Sequence, residues 1–316
     1  VGTVDCGAQA FEALAMAKAA GIEVIVVDHH KCAAALPEAF ALVNPNRLDE
    51  CAESAAHGHL AAVGVAFLLG AALLRELRGR GWFATRPEPR LIDLLELVAL
   101  GTVADAAALR GLNRAFVTQG LKVMAARANI GMAALIDAAR LTQAPTCTDL
   151  GFALGPRINA GGRVGKSDLG VLLLTTSDPD EAREIAAELD RLNEERRAIE
   201  AAVSEAAEVE ARRQDNRAVA VIAGVGWHPG VIGIVAGRLK ERLGKPAIVI
   251  ALDESGIGKG SGRSISGVDL GAAVLAARDL DMLGAGGGHA VAAGLAIAGG
   301  RVEGVAEGND PRAAAR

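Results

Sequence analysis

The sequence predicts an α/β protein made of two α/β domains, the first on a parallel sheet and the second smaller, joined by a long helix. Three observations predict it. Val24 to Val27 are β-branched and apolar in a row, the pattern of a strand buried on both faces of a parallel sheet, and they run straight into Asp28, His29 and His30. A second strand–helix–strand pattern begins at Ala218. Between them, Pro179 to about Arg213 reads as one helix. Its apolar stripe of Ile185, Leu189, Leu192, Ile199 and Val203 steps by three and four, with Arg196 filling one place. At 1.5 Å per residue that helix spans about 50 Å. The stripe is too short and interrupted for a coiled-coil seam, so the helix is expected to connect two domains.

Composition narrows the function. The chain has 316 residues, enough for two domains with cores of their own. Its 33 basic and 38 acidic residues leave a net charge of -5, which excludes a generally basic nucleic-acid binder; any such surface has to be local. Cys6, Cys32, Cys51 and Cys147 show no CxxC spacing and read as reduced thiols. No charged n-region precedes an apolar h-region, and no apolar run is long enough to span a bilayer, so a cytoplasmic location is expected. The chain begins with Val1 inside a strand pattern, from which a natural N-terminus further upstream is expected.

Taken in order, Val1 to Val4 form a short strand ending in Asp5-Cys6-Gly7. Ala8 to Ala20 read as a helix closed by Gly21, so the strands at Val4 and Val27 should lie parallel, with Asp5 beside His29. Chemistry in open α/β sheets sits beyond the carboxyl ends of the strands. An acid and two imidazoles there can hold a metal, or protonate and orient a phosphate; a polar strand end meeting solvent has the same residues. The plainer use of Asp5 is as a helix N-cap. Ala61 to Leu77 and Leu91 to Leu100 are apolar helix candidates, the second running into Gly101-Thr-Val-Ala-Asp105. Residues 113 to 150 look helical, broken near Pro145. Leu154 to Lys166 hold four glycines with Arg157, Asn159 and Arg163, expected as a loop whose backbone and guanidinium groups approach a phosphate. In the second domain, strands Ala218 to Ala223 and Ala247 to Leu252 flank a helix from Val231 to Leu243. Three glycine-rich turns go with them: Gly224 to Gly230 with Trp227 and His228, Gly258 to Ser264 with Ser261 and Arg263, and Gly284 to His289. Such turns present N–H groups to anions, and Trp227 can stack on a base or serve as core.

These motifs in this order resemble a known family. Val-Asp5-Cys-Gly, Val-Asp28-His-His, Gly-Thr-Val-Ala-Asp105, Arg157-Ile-Asn-Ala-Gly-Gly-Arg163, Gly-Trp-His228-Pro-Gly-Val-Ile-Gly, Ser261-Gly-Arg263-Ser264 and Gly-Gly-Gly-His289-Ala-Val-Ala-Ala-Gly resemble the RecJ exonucleases of the DHH phosphoesterase superfamily, over roughly residues 1 to 298. The resemblance implies a DHH domain over 1–177, a connector helix over 178–214, a DHHA1 domain over 215–298 and an irregular tail over 299–316. It implies two Mn2+ ions, with Mg2+ as the alternative, held by Asp5, His29 and Asp105, and it places His30 on the scissile phosphate with Asp28 behind it. It also implies substrate contacts from Arg157, Asn159, Arg163, Trp227, His228, Ser261, Arg263, Ser264 and His289. The implied activity is 5′-to-3′ hydrolysis of single-stranded DNA in repair and recombination, by a monomer that works beside a single-strand-binding protein and a helicase.

The sequence departs from that family at both ends. The family's earlier motif, close to DxDADG, completes its metal site and does not occur here; Gly299 to Arg316 lack apolar periodicity where the family continues towards an OB-fold. The expectation is therefore a truncated chain with a weakened metal site. Two other functions fit the same motifs: a phosphodiesterase for short oligonucleotides or cyclic dinucleotides, and an inactive nucleic-acid-binding relative.

Overall fold

The computed structural model describes residues 1–213 and 217–302, without the side chain of His289. The expected tail falls largely on 303–316, outside the described residues. The chain gathers into two compact units: Val1–Asn159 with Leu169–Asp190, and Ala160–Asp168 with the residues from Arg191 onward.

The first unit opens on a parallel sheet of β1 (Gly2–Val4), β2 (Ile25–Val27) and β3 (Ala41–Val43), in that spatial order. The crossover from β1 to β2 is α1 (Phe11–Ala19), as the spacing requires. Strand β3 is too short to show in the sequence. Strand β2 is covered unevenly: Val26 packs with Leu14 and Val24, Val27 with Leu60, Val65 and Leu95, while Ile25 stays 40% exposed. The expectation of a strand buried along its whole length is thus corrected; three residues leave one facing outward.

The remainder of the unit is helical. It comprises α2 (Ala52–Ala55), α3 (Ala62–Gly79), α4 (Leu95–Ala104), α5 (Gly111–Ala125), α6 (Ile130–Ala138), the single turn α7 (Cys147–Asp149), the start of α8 (Gly155–Val164), α9 (Leu169–Thr175) and the opening turns of α10 (Pro179–Arg213), up to Asp190. Helix α4 is buried at Leu95, Val98, Ala99, Leu100 and Thr102, so it runs through the core instead of lying on it. It ends in a Schellman closure: Ala106 N–H bonds Val103 O and Ala107 N–H bonds Thr102 O, with Ala106 left-handed at φ 54°. Of the 154–166 stretch expected as a loop, residues 154–164 are instead helical. A capping box of Thr146 and Asp149 starts it, and a π turn at Leu150–Leu154 precedes Pro156, which has no N–H to continue the α ladder.

The second unit holds a five-stranded sheet in the order β4-β5-β6-β8-β7. Strands β4 (Ala220–Val225) and β5 (Ala247–Leu252) are parallel, joined by α11 (Ile232–Leu243). Strands β6 (Ile257–Arg263), β7 (Ala285–His289) and β8 (Ala292–Ala298) pair antiparallel, and α12 (Leu270–Asp279) lies between β6 and β7 in the chain. Two of the three expected glycine turns, Gly258–Ser264 and Gly284–His289, are therefore strands. The reason is room: a Cβ at Gly258, Gly260 or Gly262 would stand 2.7, 2.6 or 2.6 Å from Ile250, Leu295 or Leu270.

Helix α10 buries Ala182, Ala186, Leu189, Leu192, Arg196, Glu200, Val203, Ala207 and Ala211, an almost unbroken three–four rhythm. The expected stripe is found with alanines added and with Ile185 and Ile199 at its margin.

The packing of α4 on α5 generates a prediction. A Cβ at Gly120 would press on Leu95 O and stand 2.5 Å from Ala99 Cβ. Helix propensity alone favours Gly120→Ala by up to about 1 kcal/mol. The expected result is a net loss of about 1–3 kcal/mol from overpacking, read from the urea midpoint.

Candidate metal centre and anion cradle

Three main-chain devices bring the first unit's polar groups to one point. Asp5 follows β1 in the left-handed region, φ 65°, its N–H bonded to Val27 O at 2.9 Å. Gly7, φ 114°, passes so close to Val26 that a Cβ would stand 2.9 Å from its Cγ1. Helix α1 is capped at Ala10 without a side-chain bond, so Asp5 is not its N-cap. Asp105 is the C-cap of α4 and is aimed by the Schellman closure behind it. His29 leaves the end of β2, and its Nδ1 lies 3.0 Å from Leu60 O. A carbonyl only accepts, so Nδ1 carries a hydrogen, which leaves Nε2 as the ring atom that would bind a metal.

Nε2 faces carboxylates. His29 Nε2 is 3.2 Å from Asp5 Oδ1 and 3.7 Å from Asp105 Oδ2. Burial pushes the Asp105 carboxyl above its ordinary range; Asp5 adds to this, and His29 and His30 oppose it. Ligand atoms about 2.1 Å from one ion and at right angles lie about 3 Å apart. The Asp5–His29 spacing fits that, and mixed carboxylate and imidazole donors suit manganese or magnesium better than a soft metal. Asp5, His29 and His30 also offer ligand atoms all within 4.8 Å of one another.

Asp28 sits beneath, 1% exposed. Its Oδ2 accepts from Ala8 N–H at 2.9 Å; its Oδ1 accepts from the N–H groups of His29 and His30 at 2.8 and 3.2 Å and from His30 Nδ1–H at 2.7 Å. Burial pushes its carboxyl up, but the bond from His30 and the three N–H groups outweigh burial and hold it below the ordinary range. Its contribution to stability is therefore present above the unfolded carboxyl range and lost only as pH falls through the lowered folded value. Two further residues of the site, Asn44 and Asn46, lie outside every motif of the sequence and hold the carbonyls of His30 and His29; the available signal was Asn-Pro-Asn directly after an apolar stretch.

In the second unit, two half-buried guanidinium groups have no carboxylate partner among the described residues. Arg163 donates to Gly230 O at 3.0 Å; Arg263 donates to Ser261 Oγ at 3.0 Å and Gly262 O at 2.8 Å. Burial holds both below the usual range, and Arg196 and Arg263 press Arg163 further down. A Cβ at Gly233, in the first turn of α11, would stand 3.0 Å from both Arg263 Nη2 and Ser261 Oγ. His228 Nδ1 accepts from Gly230 N–H at 3.0 Å and fixes the turn before the helix. Two desolvated cations at a helix N-terminus are the arrangement by which proteins meet an anion such as phosphate.

Other expected substrate residues lie elsewhere. Arg157 is engaged with Asp190 at 2.8 Å and Ala153 O at 2.8 Å. Ser264 is buried and donates to Val268 O, so it is not an exposed hydroxyl waiting for a ligand. Trp227 packs on the second unit's core over Gly224. Asn159 is exposed on α8. The side chain of His289 lies outside the described residues.

Comparisons with known proteins agree with this layout. Residues 1–102 match the DHH family, N-terminal domain, and residues 214–307 the DHHA1 domain. The single-stranded-DNA-specific exonuclease RecJ of Dickeya dadantii is 43% identical over 309 residues, covering 93% of this chain and 53% of its own length. That of Escherichia coli is 42% identical over 309 residues, covering 93% and 52%. The chain thus spans about half the length of these relatives. RecJ of Thermus thermophilus, solved in complex with Mn2+, superposes with a TM-score of 0.83 at 32% identity over 100% of this chain and 45% of that one. An exonuclease RecJ bound to manganese superposes at 0.79, 32% identity, over 99% and 74%.

Asp28 gives a test of the support beneath the site. In Asp28→Asn the amide nitrogen or oxygen must face donors that suit only acceptors. The expected loss is about 1–3 kcal/mol, read by urea unfolding at neutral pH and shrinking as the solution is acidified.

Proposed function

The chain belongs to the RecJ family, and we propose that the protein is a metal-dependent, single-stranded-DNA-specific exonuclease acting 5′ to 3′ in DNA repair and recombination. The observation that carries this reading is His29 Nε2 set between two carboxylates, Asp5 at 3.2 Å and Asp105 at 3.7 Å, with Asp5, His29 and His30 mutually within 4.8 Å. Asp5, His29 and Asp105 would hold divalent manganese, or magnesium in its place. Such ions, when bound, supply a Lewis acid for the phosphoryl oxygens and a nucleophilic water at neutral pH.

The chain's own groups do the rest. Asp28 fixes the Nδ1–H of His30, which orients the ring towards the scissile phosphate. Arg163 and Arg263, with Ser261, His228 and the first turn of α11, hold the phosphates of the strand. Arg157 and Ser264, already partnered, are braces. Asn159, Trp227 and His289 are read as further contacts to the strand. The protein is proposed to act in the cytoplasm as a monomer, supplied with single strands by a helicase and a single-strand-binding protein. No described helix is long and apolar enough to cross a membrane.

Two outcomes follow. With Mn2+ and 5′-phosphorylated single strands of graded length, the intact gene product carrying these residues should release mononucleotides from the 5′ end, and longer strands should be substrates. His29→Ala should reduce this by more than about 100-fold, the upper end of what even an outer-shell partner costs. Cleavage confined to di- and trinucleotides, or activity indifferent to His29→Ala, would overturn the reading. Separately, Arg263→Ala should weaken binding to all single strands alike and lower the slope of log affinity against log salt by about one.

A further inference from the structure

The geometry around β3 points to a residue outside the metal donors: we propose that Asn46 is a positioning residue that fixes the aim of His29. The proposal rests on the metal reading above, and its structural part can be tested without any metal.

The aim of His29 depends on one acceptor, Leu60 O, at 3.0 Å from Nδ1. That carbonyl belongs to a segment, residues 57–60, far from His29 in sequence. Something must hold this segment against the end of β2. Asn46 does so: its Nδ2 donates both to His29 O at 2.6 Å and to Gly58 O at 2.9 Å. One amide thus ties the backbone of the histidine to the backbone two residues before its acceptor. Both partners are carbonyls, so the amide can face them only with its nitrogen. From the other side, Asn113 on α5, fully buried, donates to His59 O at 2.7 Å and Ala108 O at 3.1 Å. Asn44 completes the arrangement by donating to His30 O at 2.8 Å and accepting from Asn46 N–H at 2.8 Å.

Gly58 supplies an independent sign that Asn46 is seated, not incidental. A Cβ at that position would fall on Asn46 Oδ1 and Cγ, so any larger residue must displace the amide. Displacement breaks the polar tie between His29 O and Gly58 O, so Leu60 O, although Leu60 is packed beside Val27, is no longer held in register with the His29 ring whose Nδ1–H it accepts. Partners of metal-ligating histidines act in this way, and their loss costs about 10–100-fold in metal affinity.

The test uses the 316-residue chain. Two-bond proton–nitrogen NMR correlations on the metal-free protein report the tautomer of each histidine, with His29 assigned through His29→Ala. Mn2+ titration by electron paramagnetic resonance gives affinity. In the wild type His29 should show a hydrogen on Nδ1 held by Leu60 O. Asn46→Ala, and separately Gly58→Ala, should shift it towards the mixed tautomers of free imidazole and weaken Mn2+ by about 10–100-fold. If Asn46→Ala does not fold, Asn46→Asp keeps the shape, removes both donors and should give the same readings. An unchanged tautomer and affinity in folded Asn46 variants, with Mn2+ binding lost in His29→Ala, overturns the proposal and leaves the metal reading standing. Mn2+ binding indifferent to His29→Ala overturns the metal reading, while the tautomer still decides whether Asn46 orients the ring.

Discussion

A buried carboxylate is the constraint on which the first unit depends. Asp28 is sealed from solvent at the end of a strand, and an ionised group there is tolerable only if its oxygens are met by donors. Four N–H groups meet that demand: the backbone of Ala8, of His29 and of His30, and the His30 ring. Satisfying Asp28 therefore dictates where the chain enters α1, how the backbone turns after β2 and which nitrogen of His30 carries its hydrogen. The polar centre is a by-product of that arrangement as much as its purpose: once the turn is set, His29 can only point across to Asp5 and Asp105.

How much of this could be read from residues alone differed between the two units. The pairing of Asp5 with His29 was legible, because parallel strands place their carboxyl ends side by side and a run of β-branched residues announces such a strand; Asp105 comes to His29 from a helix end instead. The long helix was legible from its rhythm, although the alanines in its stripe carry too little hydrophobic signal to be counted. The glycine-rich segments of the second unit misled. Glycine serves both sharp turns and close packing, and the choice at Gly258, Gly260 and Gly262 is made by Ile250, Leu295 and Leu270, which are distant in sequence. Strand alternation vanishes when its inward positions have no side chain. Asn46 was hidden for a related reason: its partners are main-chain carbonyls, which every residue has.

The stripe of α10 shows the same interplay of packing and charge. Arg196 and Glu200 occupy buried places in a rhythm otherwise kept by alanine, leucine and valine. Glu200 pairs with both Arg196 and Arg238. One carboxylate thus serves two guanidinium groups, while Arg163 and Arg263 nearby have only neutral oxygens. The local balance is positive in a protein whose total is -5, which is how an acidic chain can still present a cradle for an anion.

The division of the chain has a consequence for its history. The polypeptide passes from one unit to the other at 159/160, 168/169 and 190/191, and the first and last of these crossings fall inside α8 and α10. Genes exchange domains readily where a flexible linker separates them, because a cut there severs no hydrogen-bonded ladder. Here a recombination point at either helical crossing would have to splice two half-helices in phase, with their buried faces in register. Each substitution on the buried face of either shared helix therefore bears on both cores at once.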